Sequence, residues 1–127
     1  MSFRLSERSL KRLAGVHPRL IALVKEAAAL TPVDFMVTEG LRSPERQAAL
    51  VRAGASRTRR SRHLTGHAVD VAAVVDGQVR WDWPLYPRIA AAFKAAAARQ
   101  GVAIVWGGDW PSLRDGPHFE LDRKVFP

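Results

Sequence analysis

The chain predicts an α+β fold, a small antiparallel sheet flanked by helices, on three observations. Two segments open with a proline suited to the first helical position, at Pro18 and Pro44, and continue with good helix formers. Residues 32–38, 67–75 and 102–106 are short runs rich in β-branched and apolar residues, bounded by turn signals. Between residues 71–75 and 78–81, Asp76-Gly77 has the composition of a type I′ hairpin turn.

Taken in order, Ser6 can cap a short helix running to about Leu13. Pro18 begins a second helix whose Ile21, Leu23, Val24, Ala27 and Leu30 belong to one core. Residues 32–38 alternate apolar and polar side chains and predict a strand ended by Gly40. Ser43 is an N-cap followed by Pro44, so a helix runs to about Ala53 before Gly54 stops it. Arg42 therefore falls at a strand-to-helix junction, where a side chain is exposed on a rigid frame. Residues 67–75 alternate too little for a surface helix and read as a buried strand, with residues 61–66 as an irregular lead-in and Gly66 as a sharp turn. An Ala-rich helix over about 87–100 places Ile89, Ala92, Phe93 and Ala96 on one face and ends at Gly101. Residues 102–106, a Gly-rich turn and then His118-Phe119-Glu120-Leu121 complete the sheet. No internal repeat, low-complexity tract or linker interrupts the 127 residues, which are expected to form a single domain.

Composition narrows the functional classes. With no cysteine, disulfides and thiolate metal sites are excluded, so any metal must be held by histidine and carboxylate. The apolar stretches are interrupted by Lys25, Asp34, Lys94 or Arg99 and fall short of the roughly 20 residues needed to cross a bilayer. The first eight residues show no apolar core or small-residue cleavage site, so no secretory signal is expected. A net charge of +8 predicts attraction to polyanions without choosing among wall carboxylates, envelope phosphates and nucleic acid. Sequence-specific nucleic-acid binding is disfavoured, because no aromatic interleaving, zinc-finger spacing or heptad accompanies the charge. The densest basic run, residues 57–62, reads chiefly as a solvated loop that raises local potential, with direct substrate contact as the alternative.

The chemistry concentrates in two segments, Ser61-Arg62-His63-Leu64-Thr65-Gly66-His67-Ala68-Val69-Asp70 and Asp115-Gly116-Pro117-His118-Phe119. His63 before the buried strand and Asp70 within it can converge on one ion, and His118 at the start of a distant strand is the natural third ligand. Two imidazoles and one carboxylate suit zinc, and three protein ligands leave a fourth position open for a water. Asp115, three residues before His118, is placed to act as a general base, with Glu120 and Asp109 as alternative carboxylates. His17, beside Pro18 in a turn, reads as structural. His67 lies at i+4 from His63, but the chelating helix that such a pair requires is contradicted by Leu64-Thr65-Gly66, so a supporting role is expected. Trp106 and Trp110 flank the Gly-Gly turn and can wall a cleft.

The His63…Asp70 spacing, the Asp115…His118 pair, Glu39-Gly40-Leu41-Arg42-Ser43 and Trp106-Gly107-Gly108-Asp109-Trp110 together resemble the zinc D-Ala-D-Ala carboxypeptidase and L-alanyl-D-glutamate endopeptidase family, in its phage endolysin branch. The resemblance spans essentially the whole chain and implies a Hedgehog/DD-peptidase-like zinc peptidase fold. It implies Zn2+ bound by His63, Asp70 and His118, Asp115 as catalytic base, and substrate contacts from Arg42 and Ser61. An aspartate at the base position agrees with the endolysin branch and favours endopeptidase action. The implied function is hydrolysis of the L-alanyl-D-glutamate bond of the peptidoglycan stem peptide by one catalytic domain without a separate wall-binding domain. The alternatives are a D-alanyl-D-alanine carboxypeptidase and a non-catalytic basic wall-binding domain. A monomer made in the host bacterial cytoplasm is expected, reaching the wall after holin-type release and touching the anionic envelope through its charge.

Overall fold

A computed structural model describes residues 5–55, 61–112 and 114–127. The elements follow the order α1 (Glu7–Arg12), α2 (Pro18–Leu30), β1 (Phe35–Glu39), α3 (Pro44–Arg52), a 3-10 turn at Arg62–Thr65, β2 (Ala68–Val75), β3 (Gln78–Arg80), α4 (Leu85–Gln100), β4 (Ile104–Trp106), a second 3-10 turn at Gly107–Asp109, and β5 (His118–Leu121). The expected caps operate. Oγ of Ser6 accepts from Ser9 N at 3.1 Å and Oγ of Ser43 from Arg46 N at 3.1 Å. The N-cap of α2 is His17, whose Nδ1 accepts from Arg19 N, which gives this histidine the structural role expected of it. Helix α4 begins at Leu85, before the expected start at Pro87, and ends as expected at Gly101, which takes a left-handed φ of 66°.

Among the described residues, five strands form one antiparallel sheet in the order β1-β2-β5-β4, with β3 paired to β2. Asp76 and Gly77 both have positive φ, 51° and 78°, the backbone a type I′ turn requires, and they join β2 to β3. Side chains alternate across a strand, so β2 divides its residues between two faces. Val69, Val71 and Ala73 join Phe35 and Val37 of β1 and Phe119 and Leu121 of β5 in the hydrophobic core. Helices α2 and α4 supply Leu20, Leu23, Val24, Ala27, Ile89, Phe93 and Ala96 to the same core, all essentially inaccessible to solvent. Phe93 lies at its centre, stacked on Phe119 with ring centroids 3.8 Å apart and tilted against Phe35 at 5.4 Å.

The other face of the sheet carries Asp70 on β2 and His118 and Glu120 on β5. Asp70 lies directly opposite His118 in the β2–β5 register and opposite Glu39 in the β1–β2 register. The second pairing depends on an irregularity in β1: Val37 pairs with Val71, yet Glu39 rather than Thr38 pairs with Asp70. One extra residue on β1 rotates Glu39 onto the same row as Asp70 and His118.

Because Phe93 fills the centre of the core, Phe93→Ala should lower unfolding stability by about 3–5 kcal/mol. A urea titration followed by circular dichroism checks this, and a loss below about 1 kcal/mol would mean that the core does not close on this ring.

Candidate metal centre

His63 reaches the sheet from the 3-10 turn. Oγ of Ser61 caps that turn by accepting from His63 N at 3.2 Å, and Gly66 closes it with φ 74°. A Cβ at Gly66 would meet the carbonyl oxygen of Gly15 at 2.5 Å, so both space and backbone conformation require glycine here. Nδ1 of His63 lies 2.9 Å from the carbonyl oxygen of Gly40, the only acceptor in that pair, so it carries the proton. Nε2 is left aimed at the sheet, 3.3 Å from Asp70 Oδ2, buried and without a hydrogen-bond partner. A buried, orphaned imidazole nitrogen is what a metal ligand looks like before its ion is counted. His118 presents Nδ1 to Asp70 Oδ1 at 3.2 Å and Nε2 to Glu120 Oε1 at 2.9 Å. One ligand atom from each of His63, Asp70 and His118 lies within 4.8 Å of the others, the only such His/Asp/Glu group found among the described residues. The donor chemistry, two imidazole nitrogens and a carboxylate oxygen, fits zinc with an open coordination position.

The charges reinforce one another. Burial pushes the Asp70 carboxyl upward, but the hydrogen bond from His118 and the neighbouring His63 imidazole outweigh it and hold the group well below the usual carboxylate range. Burial likewise opposes a charge on His118, yet the hydrogen bonds and charges of Asp70 and Glu120 prevail and push it up to about 9. Asp115 moves the opposite way from Asp70: burial raises its carboxyl pKa, the Asp70 charge adds to the rise, and His118, His63 and Arg42 oppose it. The Asp115 carboxyl therefore lies within electrostatic reach of Asp70, His118 and His63. Its backbone is held by N–H donation to Gly107 O at 3.0 Å and by acceptance from His118 N at 3.2 Å.

Arg42 stands behind Asp70, with Nη2 3.5 Å from Oδ2. Its fork is engaged: Nε and Nη2 donate to Glu39 at 2.7 and 2.8 Å, and Nη1 donates to Gln47 Oε1 at 2.7 Å. Those bonds from Arg42 are the main reason the Glu39 carboxyl lies below its ordinary range. The junction that was expected to expose Arg42 instead buries it, 9% accessible, because α3 folds back and lays Gln47 over the guanidinium.

The structure brings His63, Asp70, His118, Asp115 and Arg42 together and seats Ser61 at the base of the His63 turn. His67 is turned away, its Nδ1 2.7 Å from Thr65 Oγ1 and its ring 5.5 Å from His17. Asp109 pairs with Lys94 on the surface. Trp110 lies against His118 at 5.1 Å and walls the site, whereas Trp106 turns inward, donating Nε1–H to Gly116 O at 2.7 Å. Of the basic run, residues 57–60 lie outside the described residues. Arg62 corrects the expectation of a solvated loop, being largely covered, with Nη2 on the carbonyls of Leu121 and Phe126 at 3.2 and 2.6 Å. Nothing local signals this, because its acceptors come from the far end of the chain. Gln47 was also missed; a glutamine in a helical pattern reads as surface until Arg42 arrives beneath it.

Comparison with known proteins gives a consistent result. The family model for "Phage L-alanyl-D-glutamate peptidase" matches residues 1–126. The L-alanyl-D-glutamate peptidase of Escherichia phage T5 is 32% identical over 130 residues, covering 99% of this chain and 94% of that protein. That of Listeria phage A118 is 37% identical over 94 residues, but the match spans only 32% of its length. The crystal structure of Serratia marcescens L-Ala D-Glu endopeptidase ChiX superposes with a TM-score of 0.94 at 49% identity, covering 99% of this chain and 95% of that one.

Two outcomes follow from the geometry. In metal-stripped protein His118 holds its proton up to about pH 9, so a cation taking Nδ1 must displace it. Zinc uptake at neutral pH should therefore release about one proton from this site, with apparent affinity rising toward pH 9 and levelling above it. Calorimetry in buffers of different ionisation enthalpy measures this, and a buffer-independent heat would contradict it. A Cβ on Gly107 would be driven into the Asp115 carbonyl oxygen and would stand 3.1 Å from the Cβ of both Asp115 and His118. Gly107→Ala should thus lower zinc affinity along with thermal stability; unchanged zinc binding would show that this turn does not set the site.

Proposed function

Since the chain belongs to the phage L-alanyl-D-glutamate peptidase family, we propose that it hydrolyses the L-alanyl-D-glutamate bond of the peptidoglycan stem peptide, using zinc held by His63, Asp70 and His118. The observation that carries the zinc reading is the buried, unpartnered Nε2 of His63 facing Asp70 and His118. A divalent ion bound there supplies Lewis acidity, making water a nucleophile near neutral pH and polarising the scissile carbonyl.

The chain's own residues do the rest. Asp115 takes the proton of the attacking water and returns it to the amine of D-glutamate as the peptide bond breaks. Burial and the Asp70 charge raise its proton affinity, so it is a better base than a solvated aspartate. Trp110 beside His118 excludes water from one side. Ser61 hydrogen-bonds the substrate backbone from the mouth of the His63 turn. Arg42 holds a stem-peptide carboxylate, which requires that carboxylate to replace Glu39 on its fork. The 127 residues act as one catalytic domain and as a monomer, and the +8 charge draws the protein to the anionic wall. None of the described helices is long and apolar enough to cross a membrane. Access to the wall is proposed to depend on release by another agent of the holin type.

Purified peptidoglycan incubated with the zinc-loaded and the chelated protein, followed by mass spectrometry of new termini, tests the reading. New amino-terminal D-glutamate that disappears on chelation is expected. Released D-alanine would move the activity to the carboxypeptidases, and no cleavage would leave a wall-binding domain. Asp115→Ala should keep stoichiometric zinc while losing about 10²–10⁴-fold in turnover. His118→Ala should lose both zinc and turnover. Near-normal lysis by Asp115→Ala would remove it from the role of base.

A further inference from the structure

Behind His118 lies a buried ionic cluster with no part in the reaction as described. Glu120 is two residues beyond His118 on β5, on the same face of the sheet, and its side chain is only 9% exposed. One carboxylate oxygen meets His118 Nε2 at 2.9 Å. The other lies 3.8 Å from Arg62 Nε and 3.7 Å from Arg123 Nε. Arg62, itself 10% exposed, joins this cluster to the Leu121 and Phe126 carbonyls and is the chain neighbour of His63. Burying a carboxylate and a guanidinium is costly unless each is paired. An apolar pair of similar volume would pack β5 against the turn without that cost, so packing alone does not account for these two residues.

We propose that Glu120 is a positioning residue for the metal centre, with Arg62 as the clamp that holds it. Glu120 accepts the Nε2 proton of His118, which fixes the neutral tautomer and the ring orientation. The Nδ1 lone pair then points at Asp70 and at the bound ion. Arg62 lies beside the second carboxylate oxygen, and through the Leu121 and Phe126 carbonyls it ties residues 121–126 to the turn that carries His63. The C-terminal segment thereby braces both histidine ligands. This inference rests on the metal reading above.

The test uses the full chain and three readouts. In zinc-loaded wild-type protein, nitrogen-15 NMR of the His118 ring should show a protonated Nε2 and a zinc-shifted Nδ1. Zinc competition against a chromogenic chelator should show about a 10–100-fold loss of affinity in Glu120→Met, a substitution of similar volume without an acceptor. Glu120→Gln, which retains an acceptor oxygen, should recover most of that loss, and its cobalt-substituted protein should keep the wild-type d–d spectrum that Glu120→Met alters. A proton on Nδ1, or zinc affinity in Glu120→Gln no better than in a folded Glu120→Met, would overturn the proposal. If Glu120→Met does not fold, the wild-type ring spectrum and the cobalt spectrum of Glu120→Gln decide it. Should wild-type protein bind no zinc, the metal reading itself fails, which is a different result from zinc binding that is indifferent to Glu120.

Discussion

A single carboxylate, Asp70, is the point on which the site is organised. It occupies the middle strand of a three-strand row, with Glu39 on one side and His118 on the other. His63 approaches it from the turn and Arg42 from behind. Around this partly buried anion, Arg42 is also paired with Glu39 and His118 with Glu120, and that pairing is what tolerates so many polar groups in one place. Removing the anion would leave Arg42 and His118 without the carboxylate that stands between them. The same carboxylate is the group that, with the two histidines, can take a divalent ion.

The sheet makes this possible because its two faces have different duties. On β2 the odd-numbered residues Val69, Val71 and Ala73 enter a core closed by α2 and α4, and Asp70 falls on the opposite face by alternation alone. A one-residue slip in the β2–β5 pairing would send Asp70 into the core and Val69 into the site. The core therefore enforces the register of the functional row. Stacking of Phe93 on Phe119 anchors β5 in that register one residue from His118.

Around the ligand set, the chain relies on close backbone approach. Gly107 and Gly66 sit where any side chain would strike a carbonyl oxygen, and each supports one of the segments bearing a histidine ligand. Trp106 pins the Gly116 carbonyl and so fixes the loop between Asp115 and His118. These contacts hold the proposed base and the candidate ligands in a preformed arrangement, which the proposed hydrolysis requires.

Local chemistry in the sequence by itself determined the element types, most of their ends and the three residues His63, Asp70 and His118 that the fold brings together. Caps, helix-start prolines, the Asp76-Gly77 turn and alternation act over a few residues, so they are legible without a fold. His63, Asp70 and His118 were legible because a loop before a buried strand, the strand itself and the start of a distant strand can converge, whereas Asp115 was preferred to Glu120 and Asp109 on the family resemblance. Tertiary structure decided everything that depends on partners far apart in sequence. The extra residue in β1 places Glu39 beside Asp70, and the return of α3 buries Arg42 under Gln47. The C-terminal carbonyls draw Arg62 out of a basic run and onto the C-terminal segment. A charged side chain reads as solvated until its partners are known, and here those arrive from segments up to 64 residues away.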